Sequence, residues 1–344
     1  MSKRIAVFNH KGGVSKTTSA YNLGWMIAKN QKRVLLVDAD PQCNLTSLFL
    51  NDDFDRYYSE DATKYHNIKD GVKVAFEGKP SPIAYVTCAI TNRNRNLFLI
   101  PGHQNLSEYD AALTFAQTSN NAISTLQNLP GAFSALLALT EAYYKIDYTI
   151  IDMNPSLSAI NQNLFISSHS FIVPTNPDPF SLMAIDTLKR VLPRWVAWAK
   201  TMQPAFSDAA YPLPNFTPKL IGTIIQRFNI RKGKAAKPYR DNINDIKLSF
   251  KNELAPALLQ NGMLFDKKQY SESGISDDYC LSEIPDFAGL LPKAQSAGVP
   301  VFVLTETEIN ETGPILEGMK SRRNAFLDIF KDLSTKTTTI LKYA

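Results

Sequence analysis

The sequence predicts an α/β fold: a doubly wound, mostly parallel sheet flanked by helices. Short β-branched and aromatic runs alternate with stretches of helical apolar spacing. Two of the apolar runs end in carboxylates, at Asp38 and Asp152, as strands buried on both faces do where their C-terminal ends meet a ligand crevice. The turn after the first run is glycine-rich and opens directly into a helical pattern. With 344 residues, 44% of them hydrophobic and 20% charged, the chain holds ample apolar material for a large core, and disorder as a whole is excluded. It is read as one domain over 1–344, with insertions near 51–96, 193–219 and 260–297 that are rich in Asp, Asn, Tyr, Pro and Ser. No run of about 18 apolar residues exists, so no membrane-spanning helix is expected. The N-terminus lacks the apolar core and cleavage site of a secretory signal. Three scattered cysteines, Cys43, Cys88 and Cys280, fit a reducing compartment.

Residues 3–9 (KRIAVFN) have the composition of a buried strand, and 19–28 place Ala20, Leu23, Ile27 and Ala28 at helical spacing. Strands follow at 33–38 and 147–152, then a helix at 161–168 and a strand at 171–174 (FIVP). A helix over 180–192 is expected to close at Pro193. Residues 220–226 (LIGTIIQ) read as a strand, 241–259 as a helix, 299–304 (VPVFVL) as a late strand and 314–333 as a closing helix. The stripe Phe326, Ile329, Phe330 and Leu333 on that helix is expected to pack on the sheet.

Chemistry concentrates in His10-Lys11-Gly12-Gly13-Val14-Ser15-Lys16-Thr17-Thr18, between the first strand and the first helix. Glycines there let consecutive backbone N–H groups turn inward, and the helix N-terminus adds positive charge. Lys16 is placed to neutralise β- and γ-phosphates, and the Thr17 hydroxyl to ligate Mg²⁺. The strict pattern G-x-x-x-x-G-K-[ST] is not met, since its glycines fall on His10 and Ser15.

What stands instead, Lys11-Gly12-Gly13-x-x-Lys16-Thr17-Thr18, resembles the deviant Walker A motif of the ParA/MinD family of P-loop ATPases, in its ParA/Soj partition type. The resemblance spans most of the chain, from residue 3 to about 333. It implies ATP and Mg²⁺ as ligands, bound by Lys11 through Thr18. It also implies a homodimer in which Lys11 reaches across to the partner's nucleotide. Asp38-Ala39-Asp40-Pro41-Gln42 is similar to the family's D-x-D-P-Q, which assigns Asp40 to switch I, orienting the attacking water, and Asp38 to the Mg²⁺ shell. Asp152-Met153-Asn154-Pro155-Ser156 is similar to D-x-P-P-S, with Asn154 in place of a proline and Asp152 holding Mg²⁺ through water. Ser15 stands where the family has glycine and is expected to keep a negative φ. Gln226 falls where relatives often place a base-reading asparagine, and Pro300 near the other face of that pocket. As residues, both read equally well as plain strand ends.

Arg227, Arg231, Lys232, Lys234, Lys237 and Arg240 follow one another with no acidic residue between them, an electrostatic footprint for phosphates within a net charge of +5. Gly233 and Pro238 are expected to keep this run from being a regular helix. The family resemblance implies nonspecific DNA binding by the ATP-bound dimer and weak hydrolysis stimulated by a ParB-type partner, in the cytoplasm on the nucleoid. The alternative is a membrane-associated positioning ATPase like MinD. The weakly apolar segment 334–344 makes membrane binding marginal.

Overall fold

The computed structural model describes residues 2–118, 126–231 and 234–344. Its strands are β1 (Lys3–Val7), β2 (Val34–Ala39), β3 (Ala89–Thr91), β4 (Asn94–Ile100), β5 (Tyr148–Met153), β6 (Ser170–Thr175), β7 (Lys219–Gln226), the short pair β8 (Ile230–Arg231) and β9 (Lys234–Ala235), and β10 (Cys280–Ile284). Helices α1 (Lys16–Lys29), α2 (Asn44–Leu50), α3 (Phe54–Ser59), α4 (Ile68–Phe76), α5 (Asp110–Thr118), α6 (Leu129–Tyr144), α7 (Ala159–Ile166) and α8 (Pro179–Met202) cover the first part. The remainder carries α9 (Lys237–Ser249), α10 (Ala255–Leu259), α11 (Lys267–Glu272), α12 (Leu290–Ala297), α13 (Glu306–Ile309) and α14 (Gly313–Ile340).

Eight strands form one sheet in the order β10-β7-β6-β1-β5-β2-β4-β3. All pairings are parallel except β3 with β4. The expected doubly wound sheet is therefore present. Its central strand β1 is wholly apolar from Ile5 to Val7 because helices cover both faces. One face packs on α6, α7 and α8 through Phe133, Phe165 and Trp195; the other packs on α1 and α14 through Leu23, Ile27 and Phe330. Of the expected stripe, Phe326, Phe330 and Leu333 are buried and Ile329 is half-buried.

Several expectations are corrected. The helix does not stop at Pro193: α8 carries it internally and runs on to Met202. Proline removes one backbone hydrogen bond, but Trp195, Val196 and Ala199 beyond it are buried, and Trp195 lies 5.5 Å from the Phe8 ring. Residues 299–304 are not a strand but pass through a 3₁₀ turn, Val301–Val303. Their apolar composition reflects burial of Val299, Val301 and Phe302 without pairing. Conversely, β10 lies inside 260–297 and forms the sheet edge beside β7, and β4, which overlaps the end of 51–96, pairs with β2. Pro238 sits in the first turn of α9, where proline costs no hydrogen bond, so the run at 237–240 is helical. The segment beyond 333 continues α14, burying Ile340 and then Leu341.

Gly131 in α6 has no room for a side chain, since a Cβ there would stand 1.9 Å from the Tyr211 carbonyl oxygen, whereas one on Gly318 in α14 would meet nothing within 4 Å. Gly131→Ala is expected to lower stability by roughly 1–3 kcal/mol in urea unfolding. Gly318→Ala is expected to hold or raise it by up to about 1 kcal/mol.

Candidate functional site

The glycine loop leaves β1 at the centre of the sheet and enters α1. Gly13 has φ +71° and Ser15 φ +58°. The expectation of a negative φ at Ser15 is thus corrected. Its carbonyl accepts from both the N–H and the hydroxyl of Ser19, each at 2.9 Å, and these bonds hold it in a left-handed conformation that costs a non-glycine residue about 1–2 kcal/mol. The loop borders a cavity of about 520 Å³ lined by Gly13 to Thr18, Asp40, Gln42, Pro155, Arg227 and Gln295, among others. A smaller cleft continues from it past Thr18, Leu48 and Gln295 to Pro300.

The loop is braced from the neighbouring strand ends. Asn176, after β6, donates to the Gly13 carbonyl at 3.0 Å, and Asn9 donates to Pro174 at 2.9 Å. Gln226 is buried, with its amide nitrogen 2.5 Å from the Ser19 hydroxyl and 3.4 Å from the Ser15 carbonyl. The Gln226 side chain thus braces the loop. Arg227, expected in the DNA footprint, also faces the loop. Its Nη1 donates to the Gly13 carbonyl at 3.2 Å, and it lines the cavity. Lys237 and Arg240 are exposed on the first turn of α9. Lys232 lies outside the described residues, while Arg231 and Lys234 are placed by backbone alone on β8 and β9.

Charge is arranged in depth. Lys16 is only 7% exposed and donates to the Lys11 carbonyl at 3.3 Å; burial lowers its pKa, and Asp152 and Asp40 pull the other way. Asp152, at the end of β5 directly opposite Val7 and Asp38, is 1% exposed. Neither of its oxygens has a hydrogen-bond partner. Burial and the Asp38 charge raise its pKa well above the ordinary carboxylate range, while the Thr17 hydroxyl and Lys16 lower it. A buried carboxylate whose nearest donor is the Thr17 hydroxyl, with no hydrogen bond of ordinary geometry, is what a cation would satisfy. No cluster of three or more His, Cys, Asp or Glu forms a cage among the described residues. That suits Mg²⁺, which keeps its waters and takes one or two carboxylates together with substrate phosphates.

Asp38 does something else. One oxygen accepts from the N–H and hydroxyl of Thr46, at 2.8 and 2.6 Å, and the other from the Asp40 N–H at 3.2 Å. It anchors α2 and the Asp40 loop. Burial raises its pKa to about 6. Asp40 borders the cavity, one oxygen accepting from the Gln42 N–H at 2.9 Å. Asn154, in place of the family's proline, is clasped by Asn161, whose Nδ2 reaches its Oδ1 and its carbonyl at 2.9 Å each. Lys11 does not enter the cavity. Its amine pairs with Asp178 at 2.5 Å and lies 3.3 Å from the Ser181 hydroxyl, at the start of α8. Asn176, Asp178 and Ser181 were not among the expected site residues; their signal is the polar run at the end of a buried strand.

A family model described as an AAA domain matches residues 2–198. An uncharacterized protein of Pseudomonas putida is 30% identical over 250 residues, covering 68% of this chain and 84% of its own. The sporulation initiation inhibitor Soj of Bacillus subtilis is 31% identical over 188 residues, 55% of this chain and 64% of Soj. The Cyanothece McdA(D38A)–ATP complex superposes with a TM-score of 0.56 at 20% identity, over 95% of this chain and 97% of that one. The chain spans about half the length, 54%, of two Mycobacterium tuberculosis relatives that it also matches.

Asp152→Asn removes a buried carboxyl that has no hydrogen bond of ordinary geometry. It is expected to raise the thermal midpoint of the nucleotide-free protein at neutral pH. The gain should shrink as pH falls into the ordinary carboxylate range, because a carboxyl whose folded pKa is raised costs stability only where its unfolded form is ionised. Differential scanning calorimetry across pH reads both.

Proposed function

We propose that this chain, which belongs to the AAA-domain family as a ParA-type P-loop ATPase, is a positioning ATPase that alternates between an ATP-bound dimer on DNA and a released monomer. The observation that carries the nucleotide reading is the buried Asp152, without a hydrogen bond of ordinary geometry, beside Lys16 and Thr17 at the mouth of a braced glycine loop. Backbone N–H groups from Gly13 to Thr18 cradle the phosphates, and the Lys16 amine neutralises their β/γ edge. Thr17 and Asp152 hold Mg²⁺, which supplies charge neutralisation at the transferring phosphoryl group when bound. Asp40 orients the attacking water from the loop that Asp38 anchors. The cleft at Pro300 takes the base.

Lys11 belongs to the dimer. Its pairing with Asp178 at one rim of the site keeps the amine at the surface of its own subunit, from which it reaches the partner's nucleotide. Exposed Phe180 and Met183 on the next turn of α8, each 67% exposed, supply apolar area to the same interface. Closure of two chains brings both copies of the basic run into one surface, so DNA affinity follows nucleotide state. Hydrolysis, stimulated by a ParB-type partner, releases the pair. No described helix is long and apolar enough to cross a membrane, and α14 buries the stripe that a lipid-binding helix would expose.

Lys16→Ala is expected to abolish ATP binding in equilibrium dialysis. Asp40→Ala is expected to bind ATP normally and release phosphate at least about tenfold more slowly in single turnover. DNA binding at several salt concentrations tests the cycle. With Arg227 turned to the loop, the five remaining cations give a log–log salt slope near about −4.5 per subunit, with ATP only. Equal DNA affinity with ATP, with ADP and without nucleotide contradicts it.

A further inference from the structure

A second cavity, of about 500 Å³, opens between α3, α4 and the loop that follows β4. None of its lining residues borders the glycine-loop cavity. Three amines face it, from Lys64, Lys69 and Lys73, with the His103 ring and the side-chain amides of Gln104 and Asn105. Phe54, Tyr58 and Tyr65 line the rest of it, with Phe54 meeting Tyr58 edge to face and the Lys64 amine lying 5.0 Å from the Tyr65 ring centre, and Asp55 and Asp70 are its two carboxylates. Asp70 is already engaged, accepting from the Asn67 amide at 2.7 Å. The amines pair with carboxylates, Lys69 with exposed Glu108 at 2.9 Å, Lys64 with exposed Asp61, and Lys73 with half-exposed Glu77 and largely buried Asp70, both at 3.7 Å and so beyond hydrogen-bond length. The pairs with the exposed carboxylates contribute little, about 0–1 kcal/mol each, and yield to a better anion. Cations with amide donors, beside aromatic rings and in this volume, suit a phosphate attached to a flat ring.

The wall of this cavity is wired to the Asp40 loop. The Tyr58 hydroxyl donates to the Gly102 carbonyl at 2.7 Å, and the Gly102 N–H donates to the Thr46 hydroxyl at 2.9 Å. That hydroxyl donates to Asp38 at 2.6 Å, and Asp38 accepts from the Asp40 N–H at 3.2 Å. Gly102 is pressed onto this relay, since a Cβ there would lie 3.0 Å from the Asp38 carboxyl carbon and 3.1 Å from the Cys43 sulfur. A displacement of Tyr58 or of the Gly102–His103 peptide is therefore passed to the residue that orients water.

We propose that this cavity is a regulatory site for a small phosphate-bearing molecule with a flat ring, and that its occupancy changes the setting of Asp40. Binding stands on the cavity alone. The regulatory half rests on the ATPase reading above.

The test uses AMP and inorganic phosphate as probes on the full chain by isothermal titration calorimetry. The background is Lys16→Ala, so that the glycine loop does not contribute. One AMP per chain is expected to bind. The double variant Lys69→Gln/Lys73→Gln should weaken it about tenfold or more, and Phe54→Leu should weaken AMP but not phosphate. No saturable AMP binding in the Lys16→Ala background, or equal binding by the double variant, overturns the site. In the parental chain AMP is expected to change ATP turnover at least about twofold. Tyr58→Phe, which cannot donate to Gly102, should still bind AMP and lose that response. An undiminished response in Tyr58→Phe overturns the relay, and the binding arm is readable even in a chain that hydrolyses no ATP.

Discussion

The structure turns on one poorly compensated carboxyl. Asp152 stands at the end of the strand beside the central one, enclosed on every side, with no hydrogen bond of ordinary geometry and only the Thr17 hydroxyl and the Lys16 amine to oppose its charge. Lys16 sits close enough to oppose it electrostatically but spends its own hydrogen bond on the Lys11 carbonyl. Burying a carboxylate so poorly satisfied is costly, and a fold retains such a group where something arrives to complete it. Around this point the sheet supplies geometry and little else. Parallel strands bring Val7, Asp38 and Asp152 level at one edge, so the glycine loop, the Asp40 loop and the Asn154 loop all open from the same line.

The glycine loop is not self-supporting. Two of its residues are left-handed, one of them a serine, and the conformation is sustained by bonds from three residues at two neighbouring strand ends: Asn176 after β6, and Gln226 and Arg227 at the end of β7. The loop therefore reports the relative position of β1, β6 and β7. Lys11 adds a fourth tie, to the first turn of α8. A ligand that draws the loop inward pulls on the helix carrying the exposed Phe180 and Met183. In the proposed dimer, short polar contacts across rigid strands, not a flexible hinge, would couple nucleotide to interface.

Most of the sheet could be read from the chain, because β-branched runs bounded by turn residues have few other fates. Val34 to Ala39 and Tyr148 to Met153 are examples. The readings that failed did so for one reason: local composition does not say what a segment packs against. Val299 to Leu304 has strand composition and is buried, but the edge position beside β7 is taken by Cys280 to Ile284, a more polar segment. Pro193 is a stop signal by itself, overridden by the aromatic contacts of Trp195 two residues later. In the site, the loop residues Lys11 to Thr18 and the carboxylates Asp40 and Asp152 were legible as motifs. The bracing residues were not, since Gln226 and Arg227 look like a ligand contact and the start of a basic run until the strand ends are set side by side. The anchoring role of Asp38 is hidden for the same reason. Its partner Thr46 is eight residues away, on a helix whose start the sequence does not mark.

The central claim is that an incomplete charge set at Asp152, Lys16 and Thr17 is completed jointly by a divalent cation and a triphosphate. The most direct measurement is the affinity for ATP with Mg²⁺ and with EDTA, by isothermal titration calorimetry on the unmodified chain. Binding tighter by at least about tenfold with Mg²⁺, or seen only with it, is the predicted result. Equal affinity in the two conditions would mean that Asp152 is buried for some other purpose, and would contradict the claim.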